Sequence, residues 1–156
     1  MLSIDHVVFP VWDVRASLEF YGRTLGLPLI GAIDGDDWGG KRWLMLMFGL
    51  SDARELVLVA LRGARRPADD LPADTRHYAF GVDSREQQAA WRDRLSAAAV
   101  DHWEEDHGDQ HSLYFADPNG VILEITTPPT RAGDVDDSDA WNRARAWIES
   151  NAAVTA

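Results

Sequence analysis

The sequence predicts an α+β fold: two βαβββ modules form a cupped mixed sheet with helices on its outer face, and a short helix follows at the C-terminus. First, an offset of 71 residues places His6 over His77 and Phe9 over Phe80, so a strand-like run followed by a helical pattern occurs twice. Second, three further strand-like runs follow each helical pattern. Third, the length of 156 residues and the apolar content of 46% suit one domain with a real core.

The first module is predicted over residues 3–62 and opens with the strand-like run IDHVVFPV. Asp13 is a candidate N-cap for the helix that follows, and Gly26 with Pro28 ends that helix. The remaining runs predict three strands, at residues 28–34, 41–48 and 54–61.

Residues 63–74, which are rich in Pro, Gly and mixed charge, are predicted to link the modules. The second module, residues 75–128, opens with RHYAFGV, and Ser84 with Gln87 predicts a capping box at the start of its helix. Residues 117–120 predict a type I turn with a G1 bulge, interpreted as turn chemistry only. The predicted strands of this module are residues 100–105, 111–116 and 121–126.

The C-terminal extension covers residues 129–156 and begins with an acidic, turn-rich stretch. Ser138 then predicts the start of a short helix bearing Trp141, Trp147 and Ile148. We expect that helix to pack on the body of the protein or on a partner.

Three residues of metal-binding type lie at related places in these strands. Side chains alternate along a strand, so His6 and His77 occupy matching faces, and the hairpin register that pairs Tyr114 with Glu124 turns Glu124 towards the same hollow. A polar group on a buried strand needs a partner. Two imidazoles and one carboxylate suit a divalent ion with open positions for substrate. The pattern therefore predicts a metal centre.

Composition excludes several other classes of site. The chain has no cysteine, which removes disulfides, thiolate ligands and a thiol nucleophile. Its net charge of -11 argues against a nucleic-acid partner, which would require clusters of Lys and Arg. No signal peptide and no membrane-length apolar run is recognised, so we expect a cytoplasmic protein without a membrane partner.

The motifs DHVVFPVWDVRASLEFYGRTLG, RHYAFGV and DHGDQHSLYFADPNGVILEI together resemble the vicinal oxygen chelate superfamily over about residues 3–128. That superfamily includes glyoxalase I, extradiol dioxygenases, fosfomycin-modifying enzymes and bleomycin-binding resistance proteins. The resemblance implies that His6, His77 and Glu124 hold a divalent ion inside paired βαβββ modules. It also implies a homodimer and a small-molecule partner. Whether the site forms within one chain or across two is left open.

The resemblance favours an extradiol-dioxygenase-like oxidoreductase, with Fe²⁺ or Mn²⁺ and a substrate that chelates the ion through two oxygens. Tyr114 would then hydrogen-bond a metal-bound substrate oxygen, and His107 would act as acid or base. One departure counts against full ring cleavage: the stretch VALRGARRPADDLPADTR lacks the histidine that the family places there.

Two other activities stay open. A glyoxalase I-type lyase or isomerase would use Zn²⁺ or Ni²⁺ and a fourth ligand, which requires Glu55 at the place where the modules align Val57. An antibiotic-sequestering protein would hold a large drug between its Trp residues, of which Trp38 and Trp43 are candidates, although packing is the simpler role for both.

Overall fold

The computed structural model describes residues 4–51, 53–67, 75–129 and 141–147, and it confirms the predicted α+β architecture. Module one contains four strands, which are β1 (His6–Pro10), β2 (Leu29–Gly35), β3 (Trp43–Gly49) and β4 (Glu55–Leu61). Module two contains β5 (His77–Gly81), β6 (His102–Asp106), β7 (His111–Ala116) and β8 (Ile122–Thr127). Every predicted strand is present, with its limits displaced by no more than two residues.

Each module forms its own four-stranded mixed sheet, in the order β1-β4-β3-β2 and β5-β8-β7-β6. The first strand of each module runs parallel to the last one, and the other neighbours are antiparallel. A parallel neighbour requires a crossover connection, which the helix supplies. The two modules therefore repeat the same topology, as the offset of 71 residues predicts.

Both helices begin and end where local chemistry dictates. The first helix, α1 (Val14–Leu18), continues as a π-helical segment (Glu19–Thr24), and the Asp13 carboxylate caps its start by accepting from the Ala16 N–H at 3.0 Å. Gly26 follows with a φ of 72°, a left-handed conformation that suits glycine at a helix end.

The second helix, α2 (Arg85–Ala97), begins at Ser84, whose hydroxyl accepts from the Gln87 N–H at 3.3 Å. The Gln87 side chain reaches back one residue further than predicted and accepts from the Asp83 N–H at 2.9 Å. The two terminal donors are satisfied as in a capping box, with the second bond shifted by one residue.

One buried cluster joins the two modules. It contains side chains from both sheets, from the helical segment of module one and from α2, including Phe9, Phe20, Leu58, Leu95 and Leu123. Burial of this apolar surface is the main force that fixes one module against the other. Because Leu123 and Ile125 belong to this cluster, the side chain between them points to the opposite face of its sheet.

The hairpin between β7 and β8 has the predicted register and also a second role that turn chemistry alone does not predict. Asp117 pairs with Val121 through a 2.9 Å hydrogen bond, and Gly120 adopts a φ of 80°. Asn119 then reaches module one: its Oδ1 accepts from the Trp12 N–H at 2.8 Å, and its Nδ2 donates to the Ser17 hydroxyl at 3.0 Å. The turn therefore holds the start of α1 in place.

Asn119→Ala should lower the free energy of unfolding by about 2 to 4 kcal/mol, because it removes several buried hydrogen bonds and leaves their partners unsatisfied. Urea unfolding followed by circular dichroism measures the change. Asn142→Ala, at an exposed position of the C-terminal helical segment, is the matched control and should change stability by less than about 0.5 kcal/mol. An Asn119→Ala midpoint equal to that of the wild type would contradict this role.

The predicted start of the C-terminal helix at Ser138, and Ile148 within it, lie outside the described residues. Residues 68–74 of the predicted linker also lie outside them. Residues 141–147 are helical, as predicted, with Trp141 and Trp147 exposed to 60% and 69%. Among the helices in the described ranges, none has the length and apolar character needed to cross a bilayer.

Candidate metal centre

Glu124 and His77 lie on the same face of the second sheet. Glu124 is the Cα partner of Ala79 on β5 and of Tyr114 on β7, and His77 shares the face of Ala79. The predicted hairpin register is thus the observed one. We call this face of the second sheet, which carries His77, Ala79, Tyr114 and Glu124, the site face of module two.

The two side chains are in direct contact. His77 Nε2 lies 3.1 Å from Glu124 Oε2, and the Glu124 side chain is 8% exposed. Two ligands of one divalent ion at about 2.1 Å, placed at right angles, are about 3.0 Å apart. The His77–Glu124 pair therefore fits adjacent positions of a single divalent ion, with little movement of either side chain. One imidazole and one carboxylate also suit the metals that accept mixed nitrogen and oxygen ligands.

Ser112 fixes the orientation of the Glu124 carboxylate. Its hydroxyl donates to Glu124 Oε1 at 2.5 Å and lies 3.3 Å from the Thr126 hydroxyl. Glu124 Oε1 is thus held by the protein, while Oε2 faces His77. Hydrogen bonds of this kind position metal-binding carboxylates. Strand alternation places Ser112 on the face of Tyr114 and Glu124, but its role in holding the carboxylate was not predicted from the sequence.

Tyr114 stands between the His77–Glu124 pair and His107. Its ring meets the His77 ring edge to face at 5.7 Å, and its hydroxyl lies 3.2 Å from His107 Nε2. Burial raises the pKa of the Tyr114 phenol above its ordinary value; the Glu124 and Glu105 carboxylates raise it further, and a hydrogen bond with Ser112 opposes them. The phenol therefore keeps its proton at neutral pH and remains able to donate a hydrogen bond.

Two residues of β6, Trp103 and Glu105, also lie on the site face of module two, and neither was predicted from the sequence to have a role. Trp103 stacks on Tyr114, with ring centroids 5.3 Å apart and an interplanar angle of 17°. The Trp103 indole N–H donates to Glu105 Oε1 at 3.0 Å. Strand alternation could have found both, since Trp103 pairs with Tyr114 and Glu105 with Ser112, but only once the register of β6 was known.

His6 lies on the matching face of the first sheet, away from the pair. Its Nδ1 is hydrogen-bonded to Asp5 Oδ2 at 2.9 Å, which leaves Nε2 as the atom available to a metal. Within the described ranges, no three His, Asp or Glu side chains approach closely enough to hold one ion. A single chain therefore brings His77 and Glu124 together and does not add His6 to them.

The observed register also locates Glu55. In module one His6 pairs with Glu55 and Val8 with Val57, whereas in module two His77 pairs with Ile122 and Ala79 with Glu124. Val57 thus occupies the place of Glu124, and Glu55 occupies that of Ile122. The shift by two residues that would put Glu55 at the equivalent ligand position does not occur.

The remaining candidates lie elsewhere. His102 pairs with Phe115, a core residue, so it faces the helices, and its Nδ1 contacts the Val100 carbonyl at 2.9 Å. Trp38 and Trp43 pack on each other edge to face at 5.6 Å. Trp43 also lines a cavity of about 420 Å³ in module one, together with Trp12 and Arg62, and none of the three predicted ligands lines it.

Comparison with known proteins agrees with this architecture. The chain is 30% identical over 125 residues to the glutathione transferase FosA of Serratia marcescens, an alignment that covers 79% of each chain. It is 25% identical over 127 residues to the metallothiol transferase FosB of Lysinibacillus sphaericus, with 80% and 82% covered. The structure of the oxidase ChaP-H2 superposes with a TM-score of 0.56 at 25% identity, covering 85% of this chain and 98% of that one.

A family model for the Glyoxalase/Bleomycin resistance protein/Dioxygenase superfamily matches residues 3–125. The match spans both modules and includes all three predicted ligands, His6, His77 and Glu124. The chain therefore belongs to the glyoxalase, bleomycin resistance protein and dioxygenase superfamily, as the three sequence motifs predict.

Proposed function

We propose that this protein is a metal-dependent enzyme that binds a small substrate through two oxygens. His77 and Glu124 of one chain would hold the ion, together with His6 of a second copy. The observation that carries the proposal is the 3.1 Å separation of His77 Nε2 and Glu124 Oε2. The name of the metallothiol transferase relative also supports a metal in this family.

The exposed face around His6 supports a site built across two copies. Val8 and Ile33, on the two edge strands of that face, are exposed to 45% and 51%, and Ile4, just before β1, is exposed to 64%. Exposed apolar side chains that share one face of a sheet favour an interaction site there. In a two-fold dimer it would cover the site face of the partner's module two, and each of the two sites would receive one His6.

The bound ion would polarise the chelating oxygens and stabilise the anion that forms on them. Tyr114, which keeps its proton, would donate a hydrogen bond to one of these oxygens. His107, hydrogen-bonded to the Tyr114 hydroxyl at 3.2 Å, would move a proton near the bound substrate. The stacked Trp103 ring would exclude water from one side and offer a flat wall to a planar substrate.

The first candidate reaction is extradiol-type oxygenation of a vicinal diol, with Fe²⁺ or Mn²⁺ as the ion. The specific support is the contact between His107 and Tyr114, two residues in the order and spacing that this branch uses, and the likeness to the oxidase ChaP-H2. The missing histidine before β5 still weighs against full ring cleavage.

A second candidate reaction is metal-assisted transfer of a thiol to the substrate. The names of the two transferase relatives support it, and so does the same His77–Glu124 pair. A glyoxalase-type reaction would require a fourth ligand at the position where Val57 stands, so we do not carry it forward.

Elemental analysis of protein purified without added metal, followed by oxygen uptake with a panel of catechols, tests the proposal. We expect about one divalent ion per chain and oxygen uptake with at least one catechol.

Tyr114→Phe should keep the metal and lower kcat by about 10²-fold or more, because it removes a proton-bearing group from the reacting oxygens. Thiol transfer without oxygen uptake would favour the second candidate. Metal-free protein that binds a flat antibiotic tightly would favour sequestration.

A further inference from the structure

Glu105 projects into the proposed site and has no part in the functions assigned above. It pairs with Ser112 across β6 and β7, so it shares the site face with Ser112 and Glu124. Its Oε1 accepts from the Trp103 indole at 3.0 Å, and its Oε2 lies 3.9 Å from His107 Nε2. These contacts hold the carboxylate on the wall of the hollow, with its side chain 46% exposed.

The neighbouring carboxylate on the same strand shows what is unusual about Glu105. Glu104 pairs with Leu113, a core residue, so it faces the helix side, where Arg92 lies 3.3 Å from it. Glu105 faces the hollow, and the eight strands β1–β8, all described, contain no Lys or Arg. Glu105 therefore adds negative charge to the site face of module two, and no strand residue adds a Lys or Arg to it.

The distance of Glu105 from the His77–Glu124 pair sets the length of the substrate. Glu105 lies on β6, two strands away from β8, and it is opposite Thr126, two residues beyond Glu124, so about 12 Å separates the backbone positions of Glu105 and Glu124. Tyr114 lies on β7, the strand between them, and Trp103, two residues before Glu105 on β6, stacks on Tyr114 to form a flat apolar wall. A planar molecule chelated at the metal would lie along this wall, with its far end at Glu105.

We infer that Glu105 selects a substrate that carries a protonated amine at the end remote from its two chelating oxygens. The ammonium would form an ion pair with Glu105 and lie near the Trp103 ring. A substrate with an anionic remote end, such as a carboxylate, would be repelled. This inference rests on the proposed function for the chelating end of the substrate, and it assigns the other end.

Three catechols that differ in charge test the inference on zinc-loaded protein without oxygen, where no turnover occurs. Dopamine should bind about five- to tenfold more tightly than uncharged 4-methylcatechol, and 3,4-dihydroxyphenylacetate more weakly than both. In Glu105→Gln the three affinities should fall within about twofold of one another, with that of 4-methylcatechol unchanged. Glu104→Gln, on the opposite face of β6, is the matched control and should keep the preference for dopamine. Equal affinities in the wild type, or a preference for dopamine that survives Glu105→Gln, would overturn the inference.

A second arm separates this inference from the proposed function. Tyramine and 4-methylphenol lack the second ring oxygen, so they probe Glu105 without chelation. Tyramine should shift the Trp103 indole N–H resonance, assigned with Trp103→Phe, and the shift should disappear in Glu105→Gln. If tyramine behaves in this way and no catechol coordinates the metal, the inference holds and the proposed substrate class fails. If catechols coordinate regardless of charge, the proposed function holds and the inference fails.

Discussion

Glu124→Gln should leave the protein with less than about a tenth of the divalent metal that the wild type holds. The carboxylate is the only anionic member of the proposed ligand set, and the neutral amide that replaces it is a much weaker ligand. The fold should survive, because the amide oxygen can still accept the hydrogen bond that Ser112 donates. Elemental analysis after dialysis against a fixed metal buffer measures the loss.

The matched control is Glu104→Gln, whose carboxylate lies on the helix side of β6 beside Arg92. It should keep the metal content of the wild type. If Glu124→Gln retained full metal content with an unchanged unfolding midpoint, Glu124 would not be a ligand, and the His77–Glu124 contact would be an ordinary ion pair.

His6→Ala alone should also lose its metal, yet a mixture of His6→Ala and Glu124→Gln chains should recover part of it. In a two-fold dimer with a ligand exchanged between copies, each mixed dimer has one complete site, formed by the intact His6 of one chain and the intact Glu124 of the other. Because half of randomly formed dimers are mixed, the mixture should bind about one quarter of the wild-type metal. Co-expression with two different tags followed by elemental analysis measures it.

Ligands supplied by one chain alone would give the opposite outcome. Every chain in the mixture would then lack one ligand, and metal would stay at the background level of the single variants. His102→Ala, a change on the helix side of its sheet, is the control and should leave metal binding intact in homodimer and mixture alike.

The local part of the site was predictable because strand alternation and turn chemistry act over short distances. The turn at residues 117–120 fixed the hairpin register, which put Tyr114 opposite Glu124, as the structure confirms. Alternation then placed His77 on the same face, and the structure brings it into contact with Glu124. The same reasoning aligned Val57 with Glu124, and the register of β4 agrees.

The rest depends on contacts between distant segments, which no local pattern encodes. The local sequence predicts only a turn role for Asn119, yet its side chain also binds the start of α1, and its bond to the Trp12 N–H spans 107 residues of sequence. In the sequence Glu105 is one of several neighbouring acidic residues. Only the pairing of β6 with β7 shows that its side chain and that of Glu104 lie on opposite faces of the sheet. The location of His6 relative to His77 follows from how the shared core packs the modules, so alternation within a strand could not supply it.

Anomalous diffraction from crystals of the manganese-loaded protein tests the central proposal most directly. We expect one anomalous peak per chain, within about 2.3 Å of His77 Nε2, a Glu124 oxygen and His6 Nε2 of a second copy. A peak bound by other residues, or a loaded crystal with His6 of every copy remote from the ion, would contradict it.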